Sequence, residues 1–274
     1  MKSNQPITSH PQIQLTNIGD VESSHHINSP WSEVLISDGR NRVSLISGPP
    51  GTPPDPHLHP DYNEWWINIG GITQWQVGQY EKLQAEFGDV VIAPAGYSHD
   101  IRPKGKTNAL RLAVSSPNSN HDIHGVSPSR WVPIDYNLKP PNLLHTKLNA
   151  LIEDNQAKSH WSQTVVSDNR NTAEIVKFGK SKTRIKRNPI SDEWWVILKG
   201  QLDLSIKQDN YSLNLREKDI TNEQIQVGIH LARWLSAHPK PSQQNKNRKR
   251  FHRQAGGRGG VEFRRILNRT GSGR

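Results

Sequence analysis

Residues 51–71 read GTPPDPHLHPDYNEWWINIGG, and residues 88–99 read GDVVIAPAGYSH. In the first stretch Gly51 leads to His57-Leu58-His59, then to Glu64, then to Gly71. Successive side chains alternate on extended backbone, so His57 and His59 present their rings to one face. In the second stretch Gly88 leads to Pro94-Ala95-Gly96, a turn sequence, and His99 follows it. If the strands close into a small barrel, the three imidazoles and the Glu64 carboxylate converge inside it. Such an N₃O set suits Fe(II), Mn(II), Ni(II), Co(II) or Zn(II), and a six-coordinate ion keeps two positions open. The chain has no cysteine, which leaves His, Asp and Glu as protein ligands and excludes disulfide frameworks, iron–sulfur clusters and thiol nucleophiles.

The same words recur later in the chain. WSEVLISDGRN from Trp31 returns as WSQTVVSDNRN from Trp161, and EWWINIGG from Glu64 returns as EWWVILKG from Glu193. GDVV around Asp89 matches KDIT around Asp219. Three blocks in one order indicate a tandem duplication of a unit of roughly 100 residues, an ordinary domain size. Each unit reads as short β-branched and aromatic runs separated by Gly, Pro and Asn. In the first these are RVSLISG, EWWINI, ITQWQVG, GDVVIAP and LRLAVSS; in the second, TAEIVKFG, EWWVILKG, QLDLSIK and YSLNL. Between them, residues 142–157 carry Leu143, Leu144, Leu148, Leu151 and Ile152 on one stripe, which predicts a helix across the junction.

The two motifs together resemble those of the cupin superfamily, G-x5-H-x-H-x4-E-x6-G and G-x5-P-x-G-x2-H; Pro103 stands where the second motif ends in Asn. The resemblance covers the first repeat and, through the duplication, the whole chain. It implies an all-β protein of two tandem jelly-roll (double-stranded β-helix) barrels with a connecting helix. It further implies a metal bound by His57, His59, Glu64 and His99. Cupins include dioxygenases, isomerases, decarboxylases, storage proteins and sensory domains, so the reaction is not implied. The second repeat departs from the motif: Lys186 and Asn188 replace the paired histidines, Glu193 remains, and His230 lies one residue out of register in EQIQVGIHLA. This predicts a metal-free second barrel. Because no counterpart of ALRLAVSS follows, the second barrel is also expected to lack its final strand.

By strand alternation Trp66 and Asn68 share the face of Glu64 while Trp65 points away, so Trp66, Asn68 and Trp75 are candidate pocket residues. Tyr62 and Arg102 read as rim or surface positions. The expected organisation is an N-terminal extension at 1–27, a metal-binding cupin domain at 28–125, a linker at 126–160, a degenerate cupin at 161–235 and a basic tail at 236–274.

The formal net charge is +10. From His238 onward eleven Lys and Arg residues face the single acid Glu262, so residues 1–237 carry 24 bases and 24 acids. The body is neutral, and the basicity is an appendage whose Gly-rich composition suggests disorder. Nucleic acid contact is expected, if anywhere, only through that tail. With 32% hydrophobic residues and no long apolar run, no segment predicts a membrane span, and Met1–His10 lacks a signal-like apolar block. The expectation is a cytoplasmic protein, with homodimer formation compatible with the family. Its leading function is a metal-dependent dioxygenase on a small organic substrate, aromatic ones included. Fe(II) is the favoured ion, and Glu64 is either a ligand or a catalytic base. A non-catalytic ligand-binding cupin or an isomerase is the alternative.

Overall fold

The computed structural model describes residues 16–37, 39–118, 139–179, 193–206, 211–216 and 226–232. The tail at 236–274 and the positions Lys186, Asn188 and Asp219 lie outside them. The first repeat holds β1 (Trp31–Ser37), β2 (Arg42–Gly48), β3 (Glu64–Gly70), β4 (Ile72–Val77), β5 (Leu83–Ala85), β6 (Val90–Ala93), β7 (His99–Lys104) and β8 (Ala109–Ser115). A short strand, β9 (His145–Thr146), completes a sheet of order β1-β2-β8-β3-β6-β9, and a three-stranded sheet β5-β4-β7 faces it. All of the ladders are antiparallel. Two short helices, α1 (Ile18–Ser23) and α2 (Leu148–Asp154), are the only α-helices among the described residues.

Alternation sorts the side chains of the six-stranded sheet. Trp65, Ile67, Leu45, Ile92, Leu112 and Val114 point out of the barrel into a core shared with Val21 of α1 and Leu148 of α2. The same core takes Trp161, Val165, Ile175 and Leu198 from the second repeat. The inward face packs Trp66, Val91, Ala93 and Ala113 against Trp75, Val77 and Ala85 of the facing sheet. Tight turns hold the two faces in register. Gly71, between β3 and β4, has φ +63°, and a Cβ there would collide with the carbonyl of Asn108.

The second repeat contributes β10 (Trp161–Ser167), β11 (Thr172–Phe178), β12 (Glu193–Lys199), β13 (Gln201–Ile206), β14 (Tyr211–Arg216) and β15 (Gln226–Ala232). Its sheet order β10-β11-β15-β12 reproduces β1-β2-β8-β3. The copy extends to irregularities: the β1–β2 ladder slips between Val34 and Ile36, and the β10–β11 ladder slips between Thr164 and Val166.

Two expectations need correction. First, the final strand of the second repeat is present, because β15 lies between β11 and β12 as β8 lies between β2 and β3. His230 stands opposite Trp195, as Ala113 stands opposite Trp66, so it occupies a closing-strand position and not that of His99. Only residues 217–225 separate β14 from β15, whereas 86–108 separate β5 from β8 and carry β6 and β7. Second, the junction helix is Leu148–Asp154 and not 142–157. Ile92 N–H donates to the Leu144 carbonyl, and Asp89 accepts from the His145 ring (2.9 Å) and from Leu148 N–H (2.9 Å). These bonds hold 144–146 extended against β6 and start the helix at Leu148. Within the N-terminal extension, α1, capped by Asn17 on Asp20 N–H, buries Val21 in the shared core. No helix among the described residues is long and apolar enough to cross a membrane.

Candidate metal centre

The His57-x-His59 pair does not lie in a regular strand as its alternation suggests. Pro53, Pro54, Pro56 and Pro60 remove the amides that a ladder needs, and the segment is pinned at single points. His57 and His99 exchange backbone hydrogen bonds of 3.1 and 2.8 Å as an isolated bridge, and Gly96 N–H donates to the His59 carbonyl at 2.7 Å. Both motifs are thereby tied directly to each other. Glu64 begins β3 and His99 begins β7.

The result is a tight, buried cluster. One ligand atom from each of His57, His59, Glu64 and His99 lies within 4.8 Å of all the others. The Nε2 atoms of His57 and His99 are 3.0 Å apart, and Glu64 Oε2 is 2.8 Å from His59 Nε2 and 3.2 Å from His99 Nε2. The outer ring nitrogens are occupied. His57 Nδ1 donates to the Asp55 carbonyl at 2.7 Å, His99 Nδ1 points at the Tyr97 carbonyl at 3.4 Å, and Tyr62 Oη meets His59 Nδ1 at 2.8 Å.

Those outer contacts test whether a cation fits. A carbonyl only accepts, so the network assigns the proton of His57 and of His99 to Nδ1. The Nε2 atoms of His57 and His99 then face each other inside the cluster at 3.0 Å, an arrangement that a cation between them satisfies. Two donors held at right angles at about 2.1 Å from one ion are themselves about 3.0 Å apart. Three of the six separations, 2.8, 3.0 and 3.2 Å, match that spacing, and all four ligand atoms lie within 4.8 Å of one another, so a divalent ion fits after a small contraction of the set. Burial pushes the Glu64 carboxyl up, but hydrogen bonds and charge from His59 and His99 outweigh it and hold the group well below the usual carboxylate range.

Trp66 is buried edge-on to His99, with ring centroids 5.0 Å apart, and contacts Trp75 at 4.5 Å. Both candidate aromatics therefore line the barrel beside the cluster. Asn68 does not serve as a pocket group. Its amide donates to the carbonyls of Gly71 and Ala85 and its oxygen accepts from Thr73, so it locks the β3–β4 turn. Arg102 is exposed and paired with Asp100. Tyr62 is not a rim residue: it is buried, stacked on His59 and bonded to it.

A layer that the sequence did not suggest comes from the second repeat. The Arg170 guanidinium lies 4.9 Å from the Tyr62 ring centroid and donates to the carbonyls of Asn63 and Arg40. Asp168 accepts from the Asn63 side chain at 3.2 Å, and Asn63 in turn accepts from Ala95 N–H at 3.0 Å. The β10–β11 hairpin thus braces both metal motifs of the other barrel. The recurrence of SDGRN as SDNRN was the visible signal, but it marked the duplication without its use.

No family model and no curated protein matches the sequence. Solved structures do match. A variant of salicylate 1,2-dioxygenase from Pseudoaminobacter salicylatoxidans superposes with TM-score 0.51 at 11% identity, over 71% of this chain and 70% of its own. A cupin-2 domain protein from Shewanella frigidimarina matches with TM-score 0.32 at 18% identity over 37% of this chain and 94% of its own. The fold is that of a tandem cupin. A Bacillus subtilis oxalate decarboxylase variant also aligns, with TM-score 0.49 and 12% identity over 83% of this chain and 79% of its own. At these identities the likeness concerns the cupin architecture, and the chemistry must come from the residues.

Proposed function

We propose that this tandem cupin is a metal-dependent oxidoreductase of dioxygenase type that acts on a small organic molecule, aromatic ones included. The observation that carries the reading is the cluster itself: three imidazoles turned inward by occupied outer nitrogens, one ionised carboxylate, and an aromatic wall beside them. The salicylate dioxygenase that shares the fold is a precedent for oxygen chemistry on it.

His57, His59, His99 and Glu64 would hold the ion, with Fe(II) the favoured species. When bound, it supplies open coordination positions for a substrate oxygen and for dioxygen. The chain does the rest. Asp55, Tyr97 and Tyr62 fix the ring orientations, so the donors are set before any ligand arrives. Trp66 and Trp75 limit water at the reacting face. Glu64, kept ionised by its neighbours, serves either as a ligand or, released from the ion, as the base that accepts a substrate proton.

Elemental analysis of full-length protein loaded anaerobically with Fe(II), followed by oxygen-uptake screening on small aromatic and aliphatic substrates, tests this. One ion per chain, lost in His57→Ala and His99→Ala, with substrate-dependent oxygen uptake is the expected result. Equal metal content in wild type and both variants would overturn the metal site. Stoichiometric metal without oxygen uptake on any substrate would instead favour a ligand-binding cupin.

A further inference from the structure

Inside the first barrel one charge is unaccounted for. Arg111 lies on β8 directly between Ile46 of β2 and Asn68 of β3. Alternation places it on the face of Ala113, which packs with Trp66 and Trp75, and opposite to Leu110 and Leu112 in the outer core. Its Nε is shielded from solvent and has no hydrogen-bond partner among the described residues. No ion pair among them involves its guanidinium either. The residue as a whole is half-buried, so it is shielded without being sealed.

A guanidinium in this position is costly unless something pairs with it. Burial pushes its pKa down to about 10, with the charges of Glu64 and Asp55 opposing that shift, so it remains a cation at neutral pH. Glu64 is within electrostatic reach but is already engaged by His59 and His99. The same interior holds a second donor without an acceptor, the Trp75 indole N–H. Two donors with no acceptor, one of them a planar cation, describe the complement of a carboxylate, which guanidinium binds through two parallel hydrogen bonds.

We propose that Arg111 anchors the carboxylate of the substrate inside the first barrel, so that the molecules processed at the metal cluster are small organic acids. This deepens the metal-enzyme reading and rests on it for the chemistry, though not for the binding. It also separates two functions along the barrel: the imidazole cluster handles the reacting end, and β8 holds the anionic end.

The experiment uses benzoate and its neutral isostere benzamide as probes, with the full chain in metal-free and Zn(II)-loaded forms. Binding is read by calorimetry and by quenching of tryptophan fluorescence. Benzoate should bind the wild type at least about 10-fold more tightly than benzamide, as expected for a charged, bidentate contact. Arg111→Met should abolish that preference, and Arg111→Lys, a point charge without the fork, should retain only part of it. If Arg111→Met does not fold, the Arg111→Lys result decides. Metal stoichiometry should be unchanged in both variants. Equal binding of the two probes to wild type, no binding of benzoate, or benzoate binding unaltered in both variants would overturn the proposal. So would Arg111-dependent binding of inorganic phosphate tighter than of benzoate. A wild type that prefers benzoate but holds no metal would retain the anion site and remove the enzyme reading, so the two failures are distinguishable.

Discussion

Replacing Arg170 by alanine should weaken a metal site that lies in the other barrel. Three interactions disappear: the cation–π contact with Tyr62, the hydrogen bond to the Asn63 carbonyl, and the longer one, 3.5 Å, to the Arg40 carbonyl. A half-buried cation–π contact is worth about 1 kcal/mol and a hydrogen bond from a charged donor about 1.5–3 kcal/mol, with the 3.5 Å bond adding little. Re-solvation of the freed carbonyl returns part of this, so the metal-free chain should lose about 2–3 kcal/mol in urea unfolding. The effect on metal is indirect, since Tyr62 orients His59 through its ring nitrogen. Loss of an orienting partner typically costs 10–100-fold in affinity; acting one contact further out, Arg170→Ala should cost about 10-fold. Competition with a chromophoric chelator measures this. The coupling is isolated by repeating the substitution in a Tyr62→Leu background, where it should no longer change affinity. Unfolding that becomes easier while metal affinity stays constant, or an equal affinity loss in both backgrounds, would refute the transmitted effect.

The four-residue cluster predicts that divalent metal at 100 times its dissociation constant raises stability by about 2.7 kcal/mol, and that a chelator or His99→Ala abolishes the gain; differential scanning fluorimetry reads both. Glu64, whose folded-state pKa lies below its ordinary value of 4.5, contributes stability that is fully present above that pH and fades as acid protonates the carboxyl. The difference in unfolding free energy between wild type and Glu64→Gln in metal-free protein should therefore shrink steadily below pH 4.5, and a constant difference would contradict the assignment. Gly88 has φ +81°, and a Cβ there would collide with Leu148 of α2. Gly88→Ala should cost about 2–4 kcal/mol from strain and overpacking, read as a lowered urea midpoint.

The four-residue cluster and the duplication were legible because both are local: spacing along an extended chain and literal recurrence of words such as EWW. What depended on partners distant in sequence was not. Tyr62 sits between Asp61 and Asn63 in a proline-rich stretch, which reads as exposed, yet His59 needs an outer hydrogen-bond partner and buries it. Arg111 interrupts an apolar strand and says nothing of its face until β2 and β3 flank it. The stripe at 142–157 was a fair helix signal overridden at its start by Asp89 and by the β6 edge. The closing strand of the second repeat was misplaced for a different reason. The chain between β14 and β15 is short, so a constant repeat offset slid QVGIHLA over the last ligand motif, while pairing places it beside β11 and β12.

The bracing hairpin and the jointly built core have an evolutionary consequence. A gene duplication normally yields two separable parts, either of which can be discarded. Here the second repeat contributes Trp161, Val165, Ile175 and Leu198 to a common interior, and its Arg170 lies over Tyr62 beside the cluster of the first. Excising it would strip the first repeat of its outer packing, so loss of one copy carries a stability cost that two independent barrels would not impose.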